Sequence, residues 1–200
     1  MGYRTPGPLP DCLTVQIDTR EKYPIPFPSN IRVEHPLHCE KSVLIPIKTE
    51  RICLHAGDYR LKQYSDCCVI ERKGSQLELQ KNLFNLADMV RTAKAFRCLS
   101  AVQHPVLLVE VSPVSLLATR PEVPTPEQLM QRLMMVAAKY GLQLICVPQT
   151  SSTSSRRAMG LMLIHLMLAY GLASELDLPL NEIKENDTTC VVPGGELVQC

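Results

Sequence analysis

One run constrains the fold more than any other: Val106-Leu-Leu-Val-Glu-Val111 is apolar at five of its six positions. A strand with one wet face alternates apolar and polar residues, and a run without that alternation needs cover on both faces. The neighbouring segments supply the cover. From Gln76 to about Val102, Leu79, Leu83, Leu86, Val90, Ala93 and Leu99 recur at three- and four-residue steps, the period of one or two amphipathic helices. Thr125-Pro-Glu-Gln128 starts another helix, with Thr125 as cap, Pro126 in the first turn and Gln128 completing a capping box. That helix is expected to end near Gly141. Leu142 to Val147 reads as a strand, Thr150 to Ser155 as a polar loop, and Arg156 to Leu176 as a last helix. Helix and strand alternate, which is the pattern of an α/β chain.

The first half is richer in strands. Leu13-Thr-Val-Gln-Ile17 alternates and runs into a charged turn, Asp18 to Lys22, followed by prolines at 24, 26 and 28. Ser42 to Ile47 and Arg51 to Leu54 are short β-type runs, Gly57-Asp58 is a turn, and Cys67 to Lys73 is a strand that begins buried and finishes charged. With 200 residues and 46% apolar content there is material for one domain. We divide the chain into an extension over 1–12, a domain over 13–176 and an acidic tail over 177–200, expected to be flexible.

Charge and cysteine usage narrow the setting. Against 20 acidic residues stand 21 basic ones, so any contact with a polyanion needs a local basic surface. The nine cysteines are odd in number and scattered, several of them (Cys53, Cys98, Cys146) in apolar runs, and read as reduced core residues. The first residues, with prolines at 6, 8 and 10, lack the apolar run of a secretion signal, and Pro6 replaces the Ser or Thr of a myristoylation site. An intracellular protein is expected. The apolar stretch Ala158 to Ala173 falls short of a membrane span, so no membrane partner is expected, and its nearly contiguous apolar residues suggest burial on several sides. No phosphate-cradling Gly-x-x-x-x-Gly-Lys motif occurs, so no nucleotide cofactor is expected.

The chemistry concentrates on three residues. Glu71 and Lys73 are two apart on a strand, so both project from one face while Arg72 projects from the other. Asp58 lies thirteen residues before Glu71, after Gly57, and a strand-turn-strand connection of that length returns its carboxylate beside Glu71. Two converging carboxylates suit a hard divalent cation, Mg²⁺ or Mn²⁺. Metal and lysine together meet the demands of phosphodiester cleavage: an activated water and neutralised phosphate charge. By spacing alone, however, Glu-x-Lys reads more readily as the solvated end of a strand.

Four motifs in order add to this reading. Ile17-Asp-Thr-Arg-Glu21, Gly57-Asp-Tyr59, Ile70-Glu-Arg-Lys73 and Val106-Leu-Leu-Val-Glu110 resemble the nuclease domain of the XPF family of structure-specific endonucleases, over roughly residues 13 to 175. The resemblance implies a restriction-endonuclease-like α/β core, with a central mixed sheet flanked by helices. It also implies a metal-dependent endonuclease acting on DNA, at branched or junction structures, with Asp58, Glu71 and Lys73 binding metal or acting in catalysis. Asp18, Arg20 and Glu21 would lie beside them, Asp18 either facing the metal or holding its turn, and Glu110 reads as a strand-end charge or as a residue behind the site. Relatives dimerise through this domain, so a homodimer is expected. Two departures stand out. Leu77 occupies the position where the family places an aspartate, so that either Glu78, one residue late, substitutes or the role is absent, and no helix-hairpin-helix tail is recognisable.

Remaining features divide between binding and core. Arg72, Arg156 and Arg157 are candidate DNA contacts, the last two at a helix start where backbone N–H groups favour phosphate. His35-x-x-His38-Cys39 has no second ligand pair and reads as a loop, and His165, among Met162, Leu163, Leu166 and Met167, as a core histidine. The competing functional class is a non-catalytic DNA-binding or partner subunit; an α/β protein acting on small molecules has no motif in its favour.

Overall fold

In the computed structural model the strands are β1 (Leu13–Asp18), β2 (Asn30–His35), β3 (His38–Ile52), β4 (Tyr59–Leu61), β5 (Cys68–Lys73), β6 (His104–Val109) and β7 (Gln143–Cys146). They form one mixed sheet in the order β2-β3-β1-β4-β5-β6-β7. The structure describes residues 9–35, 38–118 and 124–175, except for the side chains of 35, 38–41 and 175. The acidic tail, most of the N-terminal extension and the side chains of His35, His38 and Cys39 therefore lie outside the described residues. Strands β5, β6 and β7 are parallel, β1 is parallel to β3, and β4 is antiparallel to both its neighbours.

Helices cover both faces, as the apolar run in β6 requires. On one face α5 (Thr153–Glu175) lays Met159, Leu163, Ile164 and Met167 over Leu13, Val15, Tyr59, Ile70, Val106 and Leu108. On the other, α1 (Gln76–Phe84), α2 (Leu86–Leu99) and α4 (Pro126–Tyr140) pack Leu79, Leu83, Phe96, Leu99, Leu129 and Leu133 against Val69, Leu107 and Val109. Leu107 and Leu108 point to opposite faces and both are fully buried, each contributing roughly 1.5–3 kcal/mol of transfer free energy. A one-turn helix, α3 (Pro113–Leu116), follows β6. Helix α5 has the length and apolar composition to cross a membrane, contrary to the shorter stretch expected, but Leu163, Ile164 and Met167 have no exposed surface and belong to the core under the sheet.

Several local expectations match closely. Thr125 caps α4 with the reciprocal Gln128 bond, and Gly141 ends it in the left-handed conformation. Others need correction. The hairpin β2–β3 replaces a proline-rich loop, and the two short runs expected between Ser42 and Leu54 are one 15-residue strand. Pro46 is tolerated inside it because the strand changes partner there: Asn30 pairs with Pro46, and from Ile47 onward β3 pairs with β1. Helix α5 begins at Thr153, before Arg156. His165 is exposed, outside the core. Cys12, Cys53, Cys67, Cys68, Cys98 and Cys146 form no disulfides, but Cys53 is exposed and only Cys67 and Cys68 are buried.

The turn into β4 is the most constrained backbone in the sheet. Gly57 has φ +67°, and a Cβ there would stand 2.4 Å from Val69 Cγ1 and 2.9 Å from the Ile70 carbonyl oxygen. Gly141 has a similar φ of +63° with nothing within 4 Å of an added Cβ. Gly57→Ala is therefore expected to cost about 2 kcal/mol or more in urea unfolding, and Gly141→Ala only about 1 kcal/mol, the strain of φ alone. Equal losses at the two sites would show that the close approach at Gly57 does not matter.

Candidate active site

The tight turn at Gly57 delivers Asp58 between the ends of β1 and β5. Its N–H donates to the Ile70 carbonyl (2.7 Å), its own carbonyl accepts from Asp18 N (2.9 Å), and its Oδ2 accepts from Arg72 N (2.7 Å). Tyr59 pairs with Ile70 in the antiparallel β4–β5 ladder, so one step further Asp58 stands across from Glu71. Residues opposite one another in such a ladder project from the same face. Strand alternation adds Lys73 to that face, where its Nζ donates to Glu71 Oε1 at 2.7 Å. Asp58, Glu71 and Lys73 thus meet in one cleft of about 820 Å³, which Arg20 and Glu21 also border.

Electrostatics at this meeting point are unfavourable without a counter-charge. Burial first, and then the Glu71 carboxylate, push Asp58 up to about 7, against the Arg72 amide and the Lys73 ammonium, which favour its charge. Lys73 is buried as well. Burial works against its charge, yet Glu71, Glu78 and Asp58 outweigh burial and hold it above its ordinary value. Glu78 reaches the site from α1: its Oε1 lies 3.6 Å from Lys73 Nζ and its Oε2 accepts from Gly74 N, while Leu77 is 60% exposed. Glu78, one residue past Leu77, thus brings a carboxylate near the lysine.

Asp18, whose N–H donates to the Asp58 carbonyl, has its carboxylate taken up by its own neighbours. Its carboxylate has no exposed surface and accepts four hydrogen bonds: Oδ1 from Arg20 N and Nε, both at 2.7 Å, and Oδ2 from Arg20 Nη2 (2.9 Å) and Leu54 N (2.8 Å). Burial would raise its pKa, but the Arg20 and Leu54 bonds hold it below the ordinary carboxylate range. With these four bonds the Asp18 carboxylate holds the turn after β1. Arg20 also donates to the Leu54 carbonyl (2.9 Å) and remains at the cleft rim.

Arg72 lies on the other side of β5. It projects to the α5 face, where its side chain is only 9% exposed, with Nε donating to Glu110 Oε1 and Nη1 to Glu21 Oε2 (3.2 Å) and the Tyr23 carbonyl (3.2 Å). Arg156 joins from α5, with Nη1 3.8 Å from Glu110 Oε2 and Nη2 donating to the Tyr23 and Pro24 carbonyls, both at 3.3 Å. The two arginines lock the loop after β1 onto the sheet. Arg157 alone of the three is exposed. Glu110, 1% exposed, is the anion of this network and stands on the opposite face of the sheet from Glu71. The sequence carried a signal for it, since a carboxylate ending a fully buried strand needs a cation.

No protein-family model matches the sequence, and no curated protein is significantly similar to it. Solved structures do match. Two are XPF from Aeropyrum pernix, one of them in complex with DNA: the TM-score is 0.51 for each, with 18% and 20% identity, over 78% of this chain. The chain has an XPF-like fold. It covers 60% and 64% of the two XPF chains. Within this XPF-like fold the central sheet is mixed and flanked by helices, as the resemblance in sequence implies.

The donor set at the cleft fits a hard divalent cation. Among the described residues no three His, Cys, Asp or Glu side chains form a ready metal cage. Two carboxylates suffice for Mg²⁺ or Mn²⁺, which keep several waters. Asp58 Oδ1 accepts no hydrogen bond from a described residue, and burial followed by the Glu71 charge raises the Asp58 pKa. The pH dependence of stability follows. In the unfolded chain Asp58 ionises near its ordinary value of about 4, and in the folded chain at about 7, so the folded state binds the extra proton between these values and loses stability as pH rises through them. Asp58→Asn is expected to stabilise the metal-free protein by roughly 1–3 kcal/mol at pH 8 and by nothing at pH 4. Thermal unfolding at both pH values in EDTA checks this, and a variant less stable than wild type at pH 8 would contradict it.

Proposed function

We propose that the protein is a metal-dependent DNA endonuclease that hydrolyses phosphodiester bonds at Asp58, Glu71 and Lys73. The observation that carries this reading is the pair of facing carboxylates with a buried lysine at 2.7 Å from one of them, on a fold shared with XPF, one of whose matching structures is a DNA complex. Asp58 and Glu71 would hold Mg²⁺ or Mn²⁺, which when bound supplies Lewis-acid stabilisation of negative charge at the phosphate.

The chain's own residues account for the remaining demands. Lys73 is kept protonated by Glu71 and Glu78 and presents an N–H to a phosphate oxygen or to the attacking water, in a cleft where burial strengthens the interaction. Arg20 stands at the rim with Nε and Nη2 committed to Asp18, which fixes its plane and leaves Nη1 for a phosphate. Glu21 accepts from Tyr23 N (2.7 Å) and Arg72, and so shapes the loop that walls the cleft. A homodimer remains part of this reading, through Leu161 and Met162, which α5 leaves 40% and 38% exposed.

The competing reading is a non-catalytic DNA-binding or partner subunit. Incubation of the full chain with duplex, single-stranded and forked DNA, with Mg²⁺, Mn²⁺ or EDTA, separates the two. Metal-dependent cutting is expected, lowered about a hundredfold or more in Glu71→Gln and in Lys73→Met. Binding without cutting under every metal would decide for the subunit.

A further inference from the structure

Beyond Asp58, Glu71 and Lys73 the cleft continues into a second hollow of about 720 Å³ on the side of α1 and α2. Arg20, Asp58, Glu71, Lys73 and Glu78 border both hollows, so the two form one channel with the carboxylate pair at its waist. Helix α2 turns Asp88, Arg91, Ala95 and Cys98 toward the second hollow, at three- and four-residue steps along one face. This wall is tied to the waist. Asn82 Nδ2 donates to the Glu78 carbonyl (2.8 Å), and Thr92 Oγ1, in a residue only 6% exposed, donates to Asn82 Oδ1 (3.0 Å).

Away from the waist the charge is positive. Lys81 and Lys94 are exposed and have no ion-pair partner among the described residues. Arg91 pairs with Asp88 at 2.6 Å, but its side chain is 77% exposed, so the pair opens at little cost. Three cations against one carboxylate make a local excess on a chain whose net charge is only +1. No large apolar side chain lines this hollow, in contrast to the groove behind α2 lined by Leu83, Phe96 and Met135. A protein partner would find no pocket for an apolar anchor here, whereas a polyanion needs none.

We infer that this trough carries the DNA backbone on one side of the scissile bond, with Lys81, Arg91 and Lys94 as its phosphate contacts. The inference rests on the nuclease reading of the waist for its placement, but binding can be measured without cleavage.

The test uses the full chain in EDTA, a fluorescently labelled DNA duplex, and anisotropy between 50 and 200 mM KCl. The variant Lys81→Ala/Arg91→Ala/Lys94→Ala is expected to bind roughly tenfold or more weakly at the middle of that range, with the slope of log K against log salt flattened by about 2–3. Arg32→Ala/Lys48→Ala, on the β2–β3 hairpin, is expected to bind as wild type, and circular dichroism verifies that both variants fold. An unchanged affinity and slope in the triple variant overturn the trough, and leave the nuclease reading standing if wild type cuts. A parallel RNA duplex that binds more tightly than DNA, and loses more in the triple variant, would overturn the assignment to DNA.

Discussion

Two carboxylates held opposite each other across a pair of antiparallel strands are a liability that the rest of this structure is arranged to sustain. Asp58 and Glu71 repel, and like charges directly opposite in a ladder destabilise it. The backbone leaves them no escape. Asp58 is bonded through its N–H to β5, through its carbonyl to β1 and through its side chain to the Arg72 amide, and the Gly57 turn that feeds it has no room for any other residue. Lys73 offsets part of the repulsion, but burial first and Glu71 second still hold Asp58 at about 7. A cation with two charges is the natural complement of such a site.

Strand β5 divides its labour by alternation. Glu71 and Lys73 enter the cleft on the α1 side, while Arg72 between them enters the α5 side and neutralises Glu110 and Glu21. The same three consecutive residues therefore build the carboxylate–lysine face and anchor the loop that walls it. Arg156 reinforces the anchor from the start of α5. Removing either arginine would leave Glu110 with one cation fewer in a nearly dry setting, a loss that typically costs several kcal/mol for a buried pair.

What the sequence made legible was whatever depends on local pattern. The apolar run at 106–111 required two covered faces, and the Thr125 cap and Gly141 stop were readable because capping is chemistry between near neighbours. Glu71 and Lys73 sharing a face followed from the period of a strand. The β2–β3 hairpin was missed because prolines at 24, 26, 28, 36 and 46 outweighed the alternation of Ile31 and Val33 with Arg32 and Glu34, and no local rule shows that Pro46 stands where β3 exchanges partners. The role of Arg72 was hidden for a different reason: its anions come from positions 21 and 110, and only the folded sheet brings them together. Asp18 shared a family motif with the site, yet its carboxylate belongs to Arg20 and Leu54.

The central claim is that Asp58 and Glu71 jointly hold a divalent cation. A crystal soaked in Mn²⁺ and measured for anomalous scattering addresses it directly. The account predicts a peak within direct coordination distance of one oxygen from each carboxylate, with water filling the remaining positions. A peak elsewhere, or the two carboxylates turned into separate surroundings with no ion between them, would contradict it.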